Sequence, residues 1–231
     1  MGNIAVIPAR GGSKRIPRKN IKPFLGKPII AYSIETALKS ELFQEIMVST
    51  DDDEIAQVAI RYGAKVPFIR SQKNSDDNAT TLDVLLEVIE HYSTELNLNF
   101  DYGCCIYPTA PLIRIEHLTQ GYQKIHNEKL DTVLPVVPFS YPVWRGLEMN
   151  EDSLLNFVWP EHINSRSQDL KPLYHDAGQW YWFDCEKIVE QGRFFTEKSG
   201  ALVLDENNTQ DIDNLSDWEL AEMKFKRLYG S

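Results

Sequence analysis

Between Ile7 and Asn20 the chain reads IPARGGSKRIPRKN. Its five cations, Arg10, Lys14, Arg15, Arg18 and Lys19, follow directly on an apolar run, IAVI at 4–7. No aspartate or glutamate precedes Glu35, although the whole protein carries a formal net charge of −10. Positive charge gathered just after a first strand suits a polyphosphate. Gly11 and Gly12 let the backbone approach an anion, successive backbone N–H groups can form an anion-binding nest, and lysine and arginine supply the countercharge. The loop is neither a Walker loop, GxxxxGK[ST], nor a dinucleotide GxGxxG. A solvated basic loop is the competing reading, and the preceding strand together with the absence of nearby acids favours the phosphate site.

Four other groups could do chemistry. In Asp211-Ile212-Asp213, extended backbone would turn both carboxylates to one face. A hard cation such as Mg²⁺ takes one or two carboxylates and completes its shell with phosphate oxygens and water; an acidic turn is the plainer alternative. Arg70 opens the segment RSQKNSDDNATT, which carries Asp77 and runs to Thr81, where a helix start would offer amides to an anion or acceptor. Tyr107-Pro108-Thr109-Ala110-Pro111-Leu112 follows an apolar strand. Asn164-Ser165-Arg166-Ser167-Gln168-Asp169-Leu170 and then Tyr174-His175-Asp176-Ala177-Gly178 lead into an aromatic run containing Tyr181. Tyr181 and its neighbours read equally well as core strand residues, and His175 alone as a satisfied polar group.

The elements that must position these groups alternate. IAVI (4–7), EIMVST (45–50), AKVPFI (64–69) and YGCCIY (102–107) read as strands. Helices are expected from Pro28 to about Lys39, after Thr50 with Asp51, Asp52 and Asp53 in the first turn up to a stop at Gly63, and over 80–96, where Leu82, Leu85, Leu86 and Ile89 recur at helical spacing. Strands separated by helices imply an α/β fold with a mostly parallel central sheet and helices on both faces. TVLPVVPF (132–139) reads as extended, and residues 140–174 lack helical period, so 132–174 reads as an inserted, irregular or β-rich arm. AGQWYWF (177–183) and ALVLD (201–205) read as strands, and Ser216 with Glu219 as the capping box of a last helix.

At 231 residues, with 42% hydrophobic content, the chain suits one domain with a real core, 1–231, carrying that arm. No apolar run reaches the length of a membrane span, and the amino terminus lacks a signal-peptide layout, so a cytoplasmic protein is expected. Cys104, Cys105 and Cys185 make neither a disulfide framework nor a zinc site. The acidic balance argues against nucleic-acid binding.

Ile7-Pro8-Ala9-Arg10, Ser13-Lys14 and Lys19-Asn20 resemble the signature of the sugar-acid cytidylyltransferases, the family of CMP-sialic acid synthetases. The Tyr107–Leu112 segment resembles that family's QPTSPL, with tyrosine in place of its glutamine. NSRSQDL and LYHDAG are similar to the pseudaminic acid branch, whereas the sialic acid enzymes carry R-P-N-G-x-x-Y where this chain has His175 to Tyr181. The resemblance covers nearly the whole chain. It implies a nucleotide-diphospho-sugar transferase-like fold with a small β-rich dimerisation arm, a homodimer, and Mg²⁺ on Asp211 and Asp213. It implies cytidylyl transfer from CTP to the anomeric hydroxyl of a nine-carbon sugar acid, with release of pyrophosphate. Nucleotide-binding roles fall on Ala9, Arg10, Gly11, Gly12, Ser13, Lys14, Lys19, Asn20, Arg70, Asp77 and Thr81. Sugar-binding roles fall on Tyr107, Thr109, Asn164, Arg166, Gln168, His175 and Tyr181, and catalytic roles on Arg10, Lys19, Asp211 and Asp213. Pseudaminic acid is the expected sugar. Sialic or legionaminic acid, and a non-catalytic nucleotide-binding protein on the same fold, are the alternatives.

Overall fold

The apolar run at the amino terminus forms strand β1 (Gly2–Pro8), and its alternation divides the core in two. In the computed structural model, which describes residues 2–230, Ala5 and Ile7 enter one buried cluster and Ile4 and Val6 another. A strand apolar on both faces needs cover on both. The chain continues through β2 (Pro23–Phe24), β3 (Lys27–Pro28), α1 (Ile29–Ser40), β4 (Glu45–Ser49), α2 (Asp53–Arg61), α3 (Thr81–Thr94), β5 (Phe100–Ile106), α4 (Ile115–Glu128) and β6 (Thr132–Pro138). Its second half adds β7 (Leu147–Met149), β8 (Leu155–Phe157), β9 (Tyr174–Asp176), β10 (Trp180–Asp184), α5 (Cys185–Gln191), β11 (Ser199–Val203) and α6 (Leu215–Tyr229).

The main sheet has seven strands in the order β11-β6-β10-β5-β1-β4, with β9 paired to the end of β6. β1, β4, β5, β6 and β11 run in one direction; β10 and β9 run against them. Ile30, Ile34 and Ala37 of α1, with Leu118 and Ile125 of α4, cover one face. Leu85, Val88 and Tyr92 of α3, with Cys185 and Ile188 of α5, cover the other. The expected α/β fold, a mostly parallel sheet with helices on both faces, is therefore what forms. β1 leads through α1 to β4 on one side, and the chain returns through α3 to β5 on the other. Such a reversal opens a crevice beyond the carboxyl ends of the strands, where ligands bind in open α/β sheets.

A third apolar cluster lies at that edge. Ile16 of the basic loop packs with Phe24, Ile29, Ile212, Trp218 and Ala221. Ile212 is fully buried while its flanking aspartates keep access to solvent. Burying such a side chain stabilises by about 1.5–3 kcal/mol. The cluster thus clamps the first and last site segments together across nearly the whole sequence.

Several elements differ from expectation. AKVPFI forms no strand: one bridge joins Met47 to Lys65, and Pro67, lacking an N–H, cannot extend the ladder. The cap of α2 is Asp52, whose side chain accepts from the Ile55 N–H, while Thr50 lies buried two residues earlier. The last capping box pairs Asn214 with Asp217 rather than Ser216 with Glu219; this earlier start turns Trp218 and Ala221 toward the Ile16 cluster. Helices α4 and α5 were not foreseen. α4 buries only Leu118, Gly121 and Ile125, a stripe that its otherwise polar sequence hides. Of the stretch 132–174 expected to form an arm, Thr132–Pro138 pairs inside the main sheet as β6. The segment outside it, from 139 to 173, holds the β7–β8 hairpin and short 3-10 turns.

Candidate active site

Three cavities meet at Tyr107, just past the end of β5. The first, about 440 Å³, is lined by Arg10, Ser13, Lys14, Arg15, Lys19, Asn20, Tyr107 and Thr109. The second, about 310 Å³, is lined by Lys19, Tyr107, Thr109, Asp176, Gly178, Tyr181, Asp211 and Asp213. The third, about 200 Å³, is lined by Arg10, Arg70, Asn74, Asp77, Thr80, Thr81 and Tyr107. A larger groove of about 720 Å³ at the far end of β5 is bordered by Asp101, Asp184, Glu186 and Glu190 and by no lysine or arginine, so it does not suit a polyphosphate.

The basic loop is fixed from beneath. Gly11 N–H donates to Asp51 Oδ1 at 2.9 Å, and a Cβ on Gly11 would fall 2.8 Å from Asp52 Oδ2. Arg18 adopts a left-handed backbone, φ 54°, and its guanidinium forks onto Asp52 and reaches Glu54 at 2.5 Å. The Arg18 hydrogen bond, opposed in part by burial, holds the Asp52 pKa at about 2. Arg18 is therefore committed to the start of α2 and is not a free phosphate ligand. Asn20 is buried and donates to the Arg10 carbonyl at 2.9 Å, which shapes the loop from inside. Ala9 is a core residue whose N–H pairs with Ser49.

The remaining cations face the cavities. Arg10 lies 3.0 Å from Asp77 Oδ1, and Lys14 bonds the other oxygen of the same carboxylate. The Lys14 hydrogen bond, then its charge, lowers the Asp77 pKa. Asp77 thus sits against the two cations expected to hold phosphate. A carboxylate is an acceptor only, and in this structure Asp77 takes donors of both Arg10 and Lys14. Arg15 pairs with Asp213 at 2.7 Å. Lys19 donates to the Ile212 carbonyl at 2.6 Å and lies 4.0 Å from Asp213; burial lowers its pKa against the pull of those carboxylates. Gly12 has open space around it and Ser13 lines the first cavity.

Asp211 and Asp213 border the second cavity together, as alternation required. Asp211 is reachable by solvent, yet the protein packed around its carboxyl, and next the Asp213 charge, push its pKa up. The pair offers the oxygen donors that a hard divalent cation takes, with Arg15 at 2.7 Å and Lys19 at 4.0 Å from Asp213 offsetting part of its charge.

Arg70 is buried, with Nε on Ser49 Oγ at 2.9 Å and a second bond to the Ser49 carbonyl. Thr81 is the first residue of α3, and its Oγ1 lies 3.2 Å from the Tyr107 hydroxyl. Burial pushes the Tyr107 pKa up to about 12, so the phenol stays protonated. Tyr181 is buried and lines the second cavity with Thr109.

Four expected sugar-site residues are not brought to this crevice. Asn164, Arg166 and Gln168 lie in the 139–173 segment and His175 on β9, and none lines the three cavities. The His175 ring packs against Phe139 at 5.0 Å instead. The residue that sequence reasoning passed over is Asp176. Its Oδ1 accepts from Gly178 N–H at 2.7 Å and its Oδ2 from the Tyr181 hydroxyl at 2.5 Å. Gly178, φ 63°, takes the left-handed turn. Asp-x-Gly before a strand is an Asx-turn pattern, and that was the available signal.

The family model described as "Cytidylyltransferase" matches residues 4–217. A pseudaminic acid cytidylyltransferase of Campylobacter jejuni subsp. jejuni serotype O:2 is 43% identical over 226 residues, covering 98% of this chain and 97% of that protein. A CMP-N,N'-diacetyllegionaminic acid synthase of Legionella pneumophila is 36% identical, covering 95% of this chain and 94% of that protein. Among solved structures, a CMP:2-keto-3-deoxy-manno-octonic acid synthetase complexed with CTP shares the fold at TM-score 0.71 and 18% identity, covering 99% of this chain and 100% of that one. With a family match over most of its length, and relatives of this similarity from end to end, the chain belongs to the cytidylyltransferases.

Proposed function

We propose that this enzyme transfers CMP from CTP to the anomeric hydroxyl of pseudaminic acid, releasing pyrophosphate. The observation that carries the reading is the clamp between Lys19 and Ile212, which sets a phosphate-binding loop against an aspartate pair across one cavity. In the reaction the sugar hydroxyl oxygen bonds to the α-phosphorus and gives its proton to solvent, the bond from that phosphorus to the bridging oxygen breaks, and pyrophosphate leaves with the electron pair. Catalysis of such transfers rests on positioning and charge stabilisation. Arg10, Lys14 and Ser13 would hold the triphosphate and its leaving end. Lys19, between loop and aspartates, would face the charge that builds on the α-phosphate. Arg70 and Thr81 would hold the nucleoside beyond Tyr107, and Tyr107, Thr109 and Tyr181 the sugar.

Asp211 and Asp213 would hold Mg²⁺. When bound it would polarise the α-phosphate and lower the pKa of the attacking hydroxyl. The preference for pseudaminic over legionaminic acid is supported by the higher identity to the Campylobacter jejuni protein than to the Legionella pneumophila one.

A homodimer formed through the 139–173 arm is part of the reading. Leu147, Met149, Leu154 and Leu155 are 52%, 66%, 62% and 61% exposed on and beside one small hairpin, and apolar surface of this kind marks subunit contacts. Cytoplasmic placement is supported by three buried free cysteines and by the supply of CTP there; among the described residues no helix is long and apolar enough to cross a membrane.

The test is pyrophosphate release from CTP with pseudaminic, legionaminic and N-acetylneuraminic acids offered together, with the CMP products weighed by mass spectrometry. CMP-pseudaminic acid should dominate. Another CMP-sugar as the main product would overturn the sugar assignment and leave the reaction standing. In light scattering a Leu155→Glu variant should lose the dimer; a wild-type monomer at micromolar concentration would contradict the arm's role.

A further inference from the structure

The second cavity is bordered by three carboxylates, Asp176, Asp211 and Asp213, and by one cation, Lys19. Two of those carboxylates are accounted for by the reading above. Asp176 is not, and it differs from them in how it is held. Among the described residues no cation pairs with it. One of its oxygens takes the N–H of Gly178 and the other the hydroxyl of Tyr181.

An ionised carboxylate can only accept, so the Tyr181 hydroxyl donates to Asp176. That bond holds the Tyr181 ring where it meets the Tyr107 ring edge to face at 5.3 Å, and the Tyr107 hydroxyl in turn lies 3.2 Å from Thr81 Oγ1. Asp176 is thereby fixed on the cavity wall.

Each carboxylate oxygen has two acceptor positions, and the protein fills one on each. The other two open to the cavity, because Asp176 is exposed there. A ligand group that approaches must bring a proton. A sugar acid cannot rest its own carboxylate against this wall, so that end turns away from Asp176. Its acylamino N–H groups, in contrast, are donors that need an acceptor once out of water.

We propose that Asp176 is a specificity-determining residue of this site, accepting an acylamino N–H of the sugar acid while its bond to Tyr181 keeps that ring in place against Tyr107. The inference rests on the proposed cytidylyl transfer to a sugar acid and adds to it the group that reads the sugar and the orientation in which the sugar binds.

The test uses the full-length enzyme, with CTP and pseudaminic acid varied separately. Asp176→Asn keeps the size but has only one oxygen, so it cannot accept from Gly178, Tyr181 and ligand as before. It should raise KM for the sugar acid at least about ten-fold, since a site built to bond a donor loses large factors when the match fails. KM for CTP should stay within about two-fold. Tyr181→Phe should raise sugar KM by a smaller factor, and the double variant should be no worse than Asp176→Asn, because both changes act through one carboxylate. Thermal unfolding near the wild-type midpoint checks that each variant is folded. A sugar KM within about two-fold of wild type in Asp176→Asn would overturn the inference, as would parallel rises for sugar and CTP, the mark of a merely structural role. Wild-type enzyme that releases no pyrophosphate with CTP and any sugar acid would instead remove the functional reading on which it rests.

Discussion

Lys19 and Ile212 join the two ends of the site: the Lys19 ammonium donates to the Ile212 carbonyl at 2.6 Å, and the Ile212 side chain is fully buried beside Ile16. The backbone between the two aspartates is therefore tied at both its polar and its apolar face. Ile212→Ala should cost about 2–4 kcal/mol of stability through the cavity it leaves. It should also lower turnover in the fraction that remains folded, because Asp211 and Asp213 lose their peg. Urea denaturation and pyrophosphate release, each at a temperature where the variant is native, measure the two effects. Lost stability with unchanged turnover would show that the aspartates do not depend on this anchor.

Asp211→Asn should separate stability from activity. The raised Asp211 pKa means that the fold disfavours its charge, through burial first and Asp213 second. Removing the charge should raise the unfolding midpoint in metal-free buffer and cut turnover at least about ten-fold, roughly 1.4 kcal/mol of barrier. Calorimetry with chelator and a kinetic assay with added Mg²⁺ provide the two readings. Full turnover in this variant would exclude Asp211 from the chemistry.

Asp77 pairs with Arg10 and Lys14, the cations proposed to hold phosphate. Asp77→Asn frees both cations, so KM for CTP should fall about two- to three-fold, as expected for the loss of exposed ion pairs. The gain should shrink in high salt. A higher KM for CTP would mean that Asp77 contributes directly to nucleotide binding.

The Arg18–Asp52 clasp makes a pH-dependent contribution. The Asp52 pKa is about 2 in the folded chain, below the unfolded value of about 3.9. Its stabilisation is therefore complete above about pH 4 and is lost as pH falls toward 2. With Arg18 partly exposed, screening reduces the effect to on the order of 1 kcal/mol. Asparagine at position 52 keeps the helix cap and removes the charge. The stability difference between wild type and Asp52→Asn, followed by guanidinium denaturation from pH 5 to 2, should shrink with acid. A constant difference would place the effect in capping alone.

The alternation of strands and helices was legible in the chain, and the basic loop and the Asp211–Asp213 pair stood out by residue type; the structure places them on adjoining cavities, although for the aspartates spacing alone left an acidic turn as the plainer reading. Helix α4 was not legible, since the stripe it buries is only Leu118, Gly121 and Ile125. The strand expected at 64–69 failed because residue type was weighed without Pro67's missing N–H. Arg18, grouped with the other cations by charge, turned out to be occupied by Asp52 and Glu54, carboxylates 34 and 36 residues away. Asp176 differs: its partners Gly178 and Tyr181 are two and five residues away, so its signal was local, an Asx-turn that residue type alone did not mark as part of a site. Charge and periodicity are local properties, whereas which side chain satisfies which depends on tertiary pairing.

The reversed strand β10 carries a consequence for how such an enzyme can diversify. Because β10 runs against β5 and β6, the turn before it, with Asp176 and Gly178, arrives at the same edge as the ends of β1 and β5 while belonging to neither. In the proposed function the side chains that would hold phosphate come from the first quarter of the chain, and Asp176 and Tyr181 from the last third. Changes in that late turn would then retune the acceptor sugar without moving the basic loop, and an engineered exchange confined to residues 174–181 is the smallest graft that this topology permits.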